Sequence, residues 1–251
     1  MKLEGKVCIV TGGATGIGEA SAIALAREGA RVVVGDINTN EGMSTVQSIQ
    51  DNGGEAAFIE CDVSREEQAT ELVASTVERF GRLDVLFANA GVNPSEGNVV
   101  DLDPGDWKRV FETNVDGVFW PCRAAIPELR RAGGGRIIVT ASPSSFVGWN
   151  DNAAYIASKG AVMSLVRAMA MDHATENIRV NAVVPGLIMS PLGMQWAESR
   201  GDPEGIKQSI HPLGRPGYPA DVAPVVVFLA SDESDFATGA PFFMDGGIVA
   251  S

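Results

Sequence analysis

Short, nearly continuous apolar runs recur along the chain, each followed by a longer stretch with helical spacing. The runs fall at 7–10 (Val-Cys-Ile-Val), 31–35, 56–60, 84–88, 136–140 and 179–184, and a seventh is expected at 241–245. Strands that are apolar on both faces belong inside a sheet covered on both sides, the signature of parallel pairing. Between them the pattern predicts helices over 16–29, 40–52, 65–80, 107–131, 153–175 and 219–231. Repeated strand–helix units wind right-handedly. The expected fold class is therefore α/β, a doubly wound domain with a seven-stranded, mainly parallel sheet and helices on both faces. At 251 residues, one such domain over 1–251 can bury a sizeable core. The stretch 187–213 breaks the rhythm with Pro191, Gly193, Gly201, Pro203, Gly205 and Pro212, and an irregular insertion of this kind reads as a lid.

The first unit carries chemistry. Gly12, Gly16 and Gly18, with Thr15 and Ile17 between them, separate the first strand from the first helix. Glycines let the backbone turn sharply and approach a ligand closely, and the helix N-terminus offers free N–H groups to a pyrophosphate. A lone glycine-rich turn is also compatible with a plain connection. Asp36 ends the second strand 18 residues beyond Gly18, near the roughly 20 expected for an acid that accepts from an adenosine ribose. Its charge would repel a 2′-phosphate, and neither Thr15, Ile37 nor Asn38 supplies a compensating cation, so NAD is expected over NADP. The alternative for Asp36 is a solvated acid capping the next helix.

Tyr155 and Lys159 lie four residues apart in a helical stretch and share a face. A phenol titrates near 10, and an ammonium and an oxidised nicotinamide close by would favour its phenolate, making Tyr155 an acid/base. Ser142 falls just past the C-terminal end of the 136–140 strand, where open α/β sheets place their ligands. Its hydroxyl suits a carbonyl or alcohol oxygen, although a serine before Pro143 is also an ordinary turn residue.

Composition narrows the setting. A net charge of −13 argues against nucleic acid or an anionic membrane surface as partner. No apolar stretch reaches the ~18 residues of a membrane span, and the N-terminus runs straight into the first strand, so a cytoplasmic protein is expected. Cys8, Cys61 and Cys122 are widely spaced in apolar surroundings and read as reduced core residues; His173 and His211 have no ligand constellation near them, and no metal is expected.

Taken together, the chain resembles the short-chain dehydrogenase/reductase family over nearly its whole length. The resemblance rests on the 11–18 glycine segment, Asp62-Val63, Asn89-Ala90-Gly91, Asn114, Ser142, Tyr155 with Lys159, and Pro185-Gly186. It implies a Rossmann-type fold and a tetrad of Asn114, Ser142, Tyr155 and Lys159, in which Asn114 holds a water linking Lys159 to solvent. It further implies that Asp62 and Val63 contact the adenine, that Asn89, Ala90 and Gly91 support the strand end beside the cofactor, and that Ile37, Pro185, Gly186 and Ile188 flank it. Ser190 matches the hydroxyl that binds the nicotinamide amide. Two departures are Ala88, where a second asparagine is frequent, and the serine segment, which reads Thr140-Ala141-Ser142-Pro143-Ser144-Ser145.

The expected activity is reversible NAD-dependent exchange between a secondary alcohol and a ketone. Ser144, Phe146, Trp149, Met189, Met194 and Trp196 are the candidate substrate residues, mostly large and apolar, which points to a bulky or cyclic substrate; equally, some of them are packing or interface residues. The apolar stretches near 107–131 and 153–172 suggest association, and the family resemblance implies a homotetramer, with a dimer as the alternative. Alternatives are an NADP-dependent carbonyl reductase, a non-catalytic dinucleotide-binding protein, and an NAD-dependent epimerase or dehydratase of related fold.

Overall fold

The computed structural model describes residues 1–93, 97–199 and 210–250. Its strands are β1 (Val7–Thr11), β2 (Arg31–Asp36), β3 (Glu55–Glu60), β4 (Val85–Ala88), β5 (Gly135–Thr140), β6 (Ile178–Pro185) and β7 (Pro241–Met244). They form one sheet in the order β3-β2-β1-β4-β5-β6-β7, and every pairing is parallel rather than mainly so. The order reverses between β1 and β4, and doubly wound folds bind ligands at that crevice, outside the carboxyl ends of the strands.

Helices cover both faces. On one side lie α3 (Glu66–Phe80), α5 (Gly117–Arg131) and α6 (Ala153–His173); on the other lie α1 (Gly16–Arg27), α2 (Thr39–Asp51) and α8 (Pro219–Ala230). Alternate strand residues feed two cores. Val7, Ile9 and Val33 pack with Leu72, Leu129 and Val166, whereas Cys8, Val10 and Val32 pack with Leu25, Ile49 and Val226. The cysteines are free and buried.

The stretch expected as one helix over 107–131 is three pieces. It begins earlier, at α4 (Pro104–Phe111), because Asp103 caps the backbone N–H groups of Gly105 and Asp106 and Pro104 fits the first turn. A π-helical turn, Glu112–Asp116, then leads into α5. An extra residue in a helical turn re-aims the side chains around it, and here it turns Asn114 into the protein.

Within 187–213, positions 200–209, including Gly201, Pro203 and Gly205, lie outside the described residues. The base of the segment is anchored: Ile188 bridges to Gly217, Met189 N–H donates to Gly217 O at 2.8 Å, and Leu187 N–H donates to His211 Nε2 at 3.1 Å. A short helix, α7 (Pro191–Ser199), follows. Among the described residues no helix is long and apolar enough to cross a membrane.

Candidate active site

The glycine turn is a backbone cradle. Gly12 and Gly16 have φ of +61° and +60°, the left-handed region that side chains resist. A Cβ on Gly12 would come within 2.8 Å of Ala90 Cα, and one on Gly18 within 1.9 Å of Gly12 O. Gly18 thus lets the first turn of α1 close against β1 and sits beneath the cleft rather than in its wall.

A hydrogen-bond knot joins three strand ends under this turn. Asn89 Nδ2 donates to Thr11 O and Gly12 O, Asn89 N–H donates to Thr11 Oγ1, and Thr140 Oγ1 donates to Asn89 Oδ1 at 3.0 Å. The ends of β1, β4 and β5 are fixed relative to one another by one carboxamide. At the end of β2, Asp36 accepts from Ala14 N–H and Asn38 N–H, each at 3.0 Å. Its carboxylate therefore braces the glycine turn while bordering the cleft.

That cleft has a volume of about 610 Å³. Gly12, Thr15, Gly16, Ile17, Asp36, Ile37, Asp62, Val63, Asn89, Ala90 and Gly91 line it, as do Pro185, at the end of β6, and Gly186, Ile188 and Ser190, which follow that strand. Ser190 Cβ would meet a Cβ on Gly16 at 2.9 Å, so the two walls nearly touch there.

Ser142, Tyr155 and Lys159 line the same cleft. Ser142 follows β5 and caps the short 3-10 turn Pro143–Ser145, accepting from Ser144 N–H at 3.2 Å. Lys159 is 3% exposed; its Nζ lies 5.7 Å from the centroid of the Tyr155 ring and donates to Thr140 O at 2.7 Å. Burial brings the Lys159 ammonium down to about 8. Burial also raises the Tyr155 phenol above its ordinary 10.0, with the Ser142 hydroxyl acting the other way. The lowering expected from Lys159 is not among the causes acting on Tyr155: desolvation dominates, and only the Ser142 hydroxyl opposes it.

Asn114 lies behind this wall, fully buried. Its Oδ1 accepts from Val92 N–H at 2.8 Å, and its Nδ2 donates to Val92 O and Ser158 Oγ. Ser158 Oγ in turn donates to Tyr155 O. The π-helical turn is thereby tied to the helix that carries Tyr155 and Lys159.

Of the expected substrate residues, Ser144, Trp149 and Trp196 line the cleft, whereas Phe146, Met189 and Met194 do not. The Phe146 ring packs on Phe243 of β7, with centroids 5.0 Å apart. Sequence reading missed Asn93, Arg109 and Asn152, which also line the cleft. Asn93 follows Asn89-Ala90-Gly91 and Asn152 precedes Tyr155 by three positions, so proximity to those motifs was the available signal.

The arrangement fits a dinucleotide: a glycine turn whose backbone lines the cleft, a carboxylate beside it, and a hydroxyl–phenol–ammonium group in the same cleft. Comparisons with known proteins agree. A family model described as enoyl-(acyl carrier protein) reductase matches residues 12–249. The chain is 37% identical to the cyclohexanol dehydrogenase of Acinetobacter sp. (strain SE19) over 245 residues, covering 98% of this chain and 95% of that one. It is 40% identical to the cyclopentanol dehydrogenase of Comamonas sp. (strain NCIMB 9872) over 252 residues, covering 100% and 99%. A solved short-chain type dehydrogenase/reductase from Mycobacterium marinum superposes with a TM-score of 0.94 at 33% identity, covering 100% of this chain and 98% of that one.

Proposed function

The chain belongs to the short-chain dehydrogenase/reductase family of NAD(P)-dependent oxidoreductases acting on CH–OH groups, and from that premise we propose that it interconverts a secondary alcohol and its ketone with NAD. The observation that carries the reading is the convergence of Ser142, Tyr155 and Lys159 on the cleft that also holds the glycine cradle and Asp36. In this reading Gly12 to Gly18 and the N-terminus of α1 hold the pyrophosphate, Asp36 the adenosine ribose, Asp62 and Val63 the adenine, and Ser190 the nicotinamide amide. Bound there, the nicotinamide supplies a two-electron acceptor or donor for the substrate carbon.

The residues do the rest. Ser142 holds the substrate oxygen, and Tyr155 takes the hydroxyl proton in oxidation or returns it in reduction. Lys159, fixed on Thr140 O, holds the nicotinamide ribose and adds positive charge beside the phenol. Asn114 positions this wall through Val92 and Ser158. Trp149 and Trp196 give the substrate end an apolar surface suited to a ring, in keeping with the names of the cyclohexanol and cyclopentanol dehydrogenase relatives. We also read the exposed Phe119 and Met171 on α5 and α6, beside a hollow of about 320 Å³ that Phe119 helps to line, as the contact face of a homotetramer.

A panel of cyclic and acyclic secondary alcohols and ketones, assayed at 340 nm with NAD and NADP, tests the reading. Turnover of cyclic alcohols with NAD preferred supports it. Turnover confined to an enoyl thioester, the chemistry named by the family model, would replace it.

A further inference from the structure

Asn152 is 6% exposed and sits at the N-cap of α6, three residues before Tyr155. Asparagine at that position ordinarily caps the helix through its side-chain oxygen. Here it makes no cap, and Oδ1 is buried with no hydrogen-bond partner. Asn93 repeats the pattern on the neighbouring segment, with its own Oδ1 buried and unpartnered. Both residues line the cleft. Gly97, four residues beyond Asn93, pairs with the segment of Asn152, its N–H donating to Asp151 O at 2.9 Å and its O accepting from Ala153 N–H at 3.4 Å. The cleft that holds the acid/base tyrosine thus carries two buried carboxamide oxygens that the fold does not satisfy. An unsatisfied buried polar group costs stability, and sites retain one where a ligand completes it.

Resting on the reading of this cleft as an alcohol/ketone site, we infer that Asn93 and Asn152 form a hydrogen-bonding subsite for a second oxygen-bearing group of the substrate, next to the reacting carbon. A hydroxyl both donates and accepts, so it can pair with a carboxamide in either orientation. The substrate class is then a cyclic vicinal diol or hydroxyketone: an apolar ring against Trp149 and Trp196, with its polar edge toward the two asparagines. The reaction itself is unchanged: the hydroxyl facing Tyr155 is oxidised and the second is held.

The test compares cyclohexanol with trans- and cis-1,2-cyclohexanediol as probes, using wild type, Asn152→Ala, Asn93→Ala and the double variant. The wild-type kcat/KM for the better diol isomer is expected to exceed that for cyclohexanol by tenfold or more, and either single variant to lower the diol-to-cyclohexanol ratio about tenfold. A second measurement does not depend on turnover. Asn152→Leu should keep or raise Tm, because it replaces an unsatisfied amide by an apolar group of similar size. A Tm lowered by more than ~5 °C would assign Asn152 to the fold and overturn the subsite. So would wild-type turnover of all three alcohols with a ratio that none of the alanine variants changes, while leaving the proposed function standing. No turnover of any of them by wild type with either nucleotide overturns the proposed function, and the subsite with it.

Discussion

Lys159 Nζ donates to the carbonyl of Thr140 at 2.7 Å, binding the helix of the candidate acid/base to the last residue of β5. One hydrogen bond does not replace the hydration of an ammonium that is 3% exposed, and burial brings its pKa to about 8. Below about 8 the folded and unfolded chains both hold the proton, and the folded state bears the whole desolvation cost. Between about 8 and 10.5 the folded chain has released a proton that the unfolded chain retains, so stability rises with pH; above 10.5 the gain is complete. Lys159→Met is therefore expected to stabilise the protein at pH 7 by ~1–3 kcal/mol and to flatten this rise, while abolishing turnover. Urea unfolding of both proteins across pH 7 to 11 checks it. The difference between them isolates Lys159, because the buried Cys8 and Cys122 thiols titrate in both.

Tyr155→Phe keeps the ring beside Lys159 and removes only the hydroxyl. It should lower kcat by ~10²–10⁴-fold, the range for loss of a general acid/base, with NADH affinity within a few-fold of wild type. Steady-state kinetics beside a fluorescence titration of NADH separates the two quantities. A variant retaining more than a tenth of wild-type kcat assigns the proton transfer elsewhere.

The sheet was legible because strands buried on both faces must be apolar throughout, and the glycine turn because φ near +60° at Gly12 and Gly16 favours glycine. Tyr155 and Lys159 announced a shared face by their spacing alone. The knot of Asn89, Thr11 and Thr140 was not legible, since it joins three strand ends far apart in the chain. Nor was the burial of Asn114 behind the wall: a π-helical turn shifts the register by one residue, and helical periodicity carries no mark of it. Phe146 illustrates the packing alternative: its size suits a pocket as well as a core, and its contact with Phe243 joins positions 97 residues apart in the chain.

Asp36 accepts from Ala14 N–H and Asn38 N–H, so removing its side chain would loosen the glycine turn along with the charge. Asp36→Asn is the cleaner substitution: the amide oxygen can still accept from one of those N–H groups while the repulsion toward a 2′-phosphate disappears. The NAD-to-NADP ratio of kcat/KM should fall by ~10-fold or more, about 1.4 kcal/mol of discrimination. Kinetics with both nucleotides reads it directly. A wild type that prefers NADP, or a variant with the wild-type ratio, removes Asp36 from the ribose site.

Trp196 belongs to α7, which follows the anchored base at 187–189 and precedes the stretch 200–209. Its side chain lines the cleft, whereas Met194 on the same helix does not. If α7 closes over the substrate, loss of the indole removes apolar contact with the ligand, ~1–3 kcal/mol for a large ring and little for a small one. Trp196→Ala should therefore raise KM by ~5–100-fold for cyclohexanol, by less than twofold for 2-propanol, and leave NAD affinity near wild type. An indole that serves a subunit contact would behave differently, lowering activity toward every substrate in proportion and shifting the elution volume in size-exclusion chromatography. Measuring KM across ring sizes on the same preparation that is run on the column separates the two, and equal losses with a changed oligomer would move Trp196 from the substrate lid to an interface.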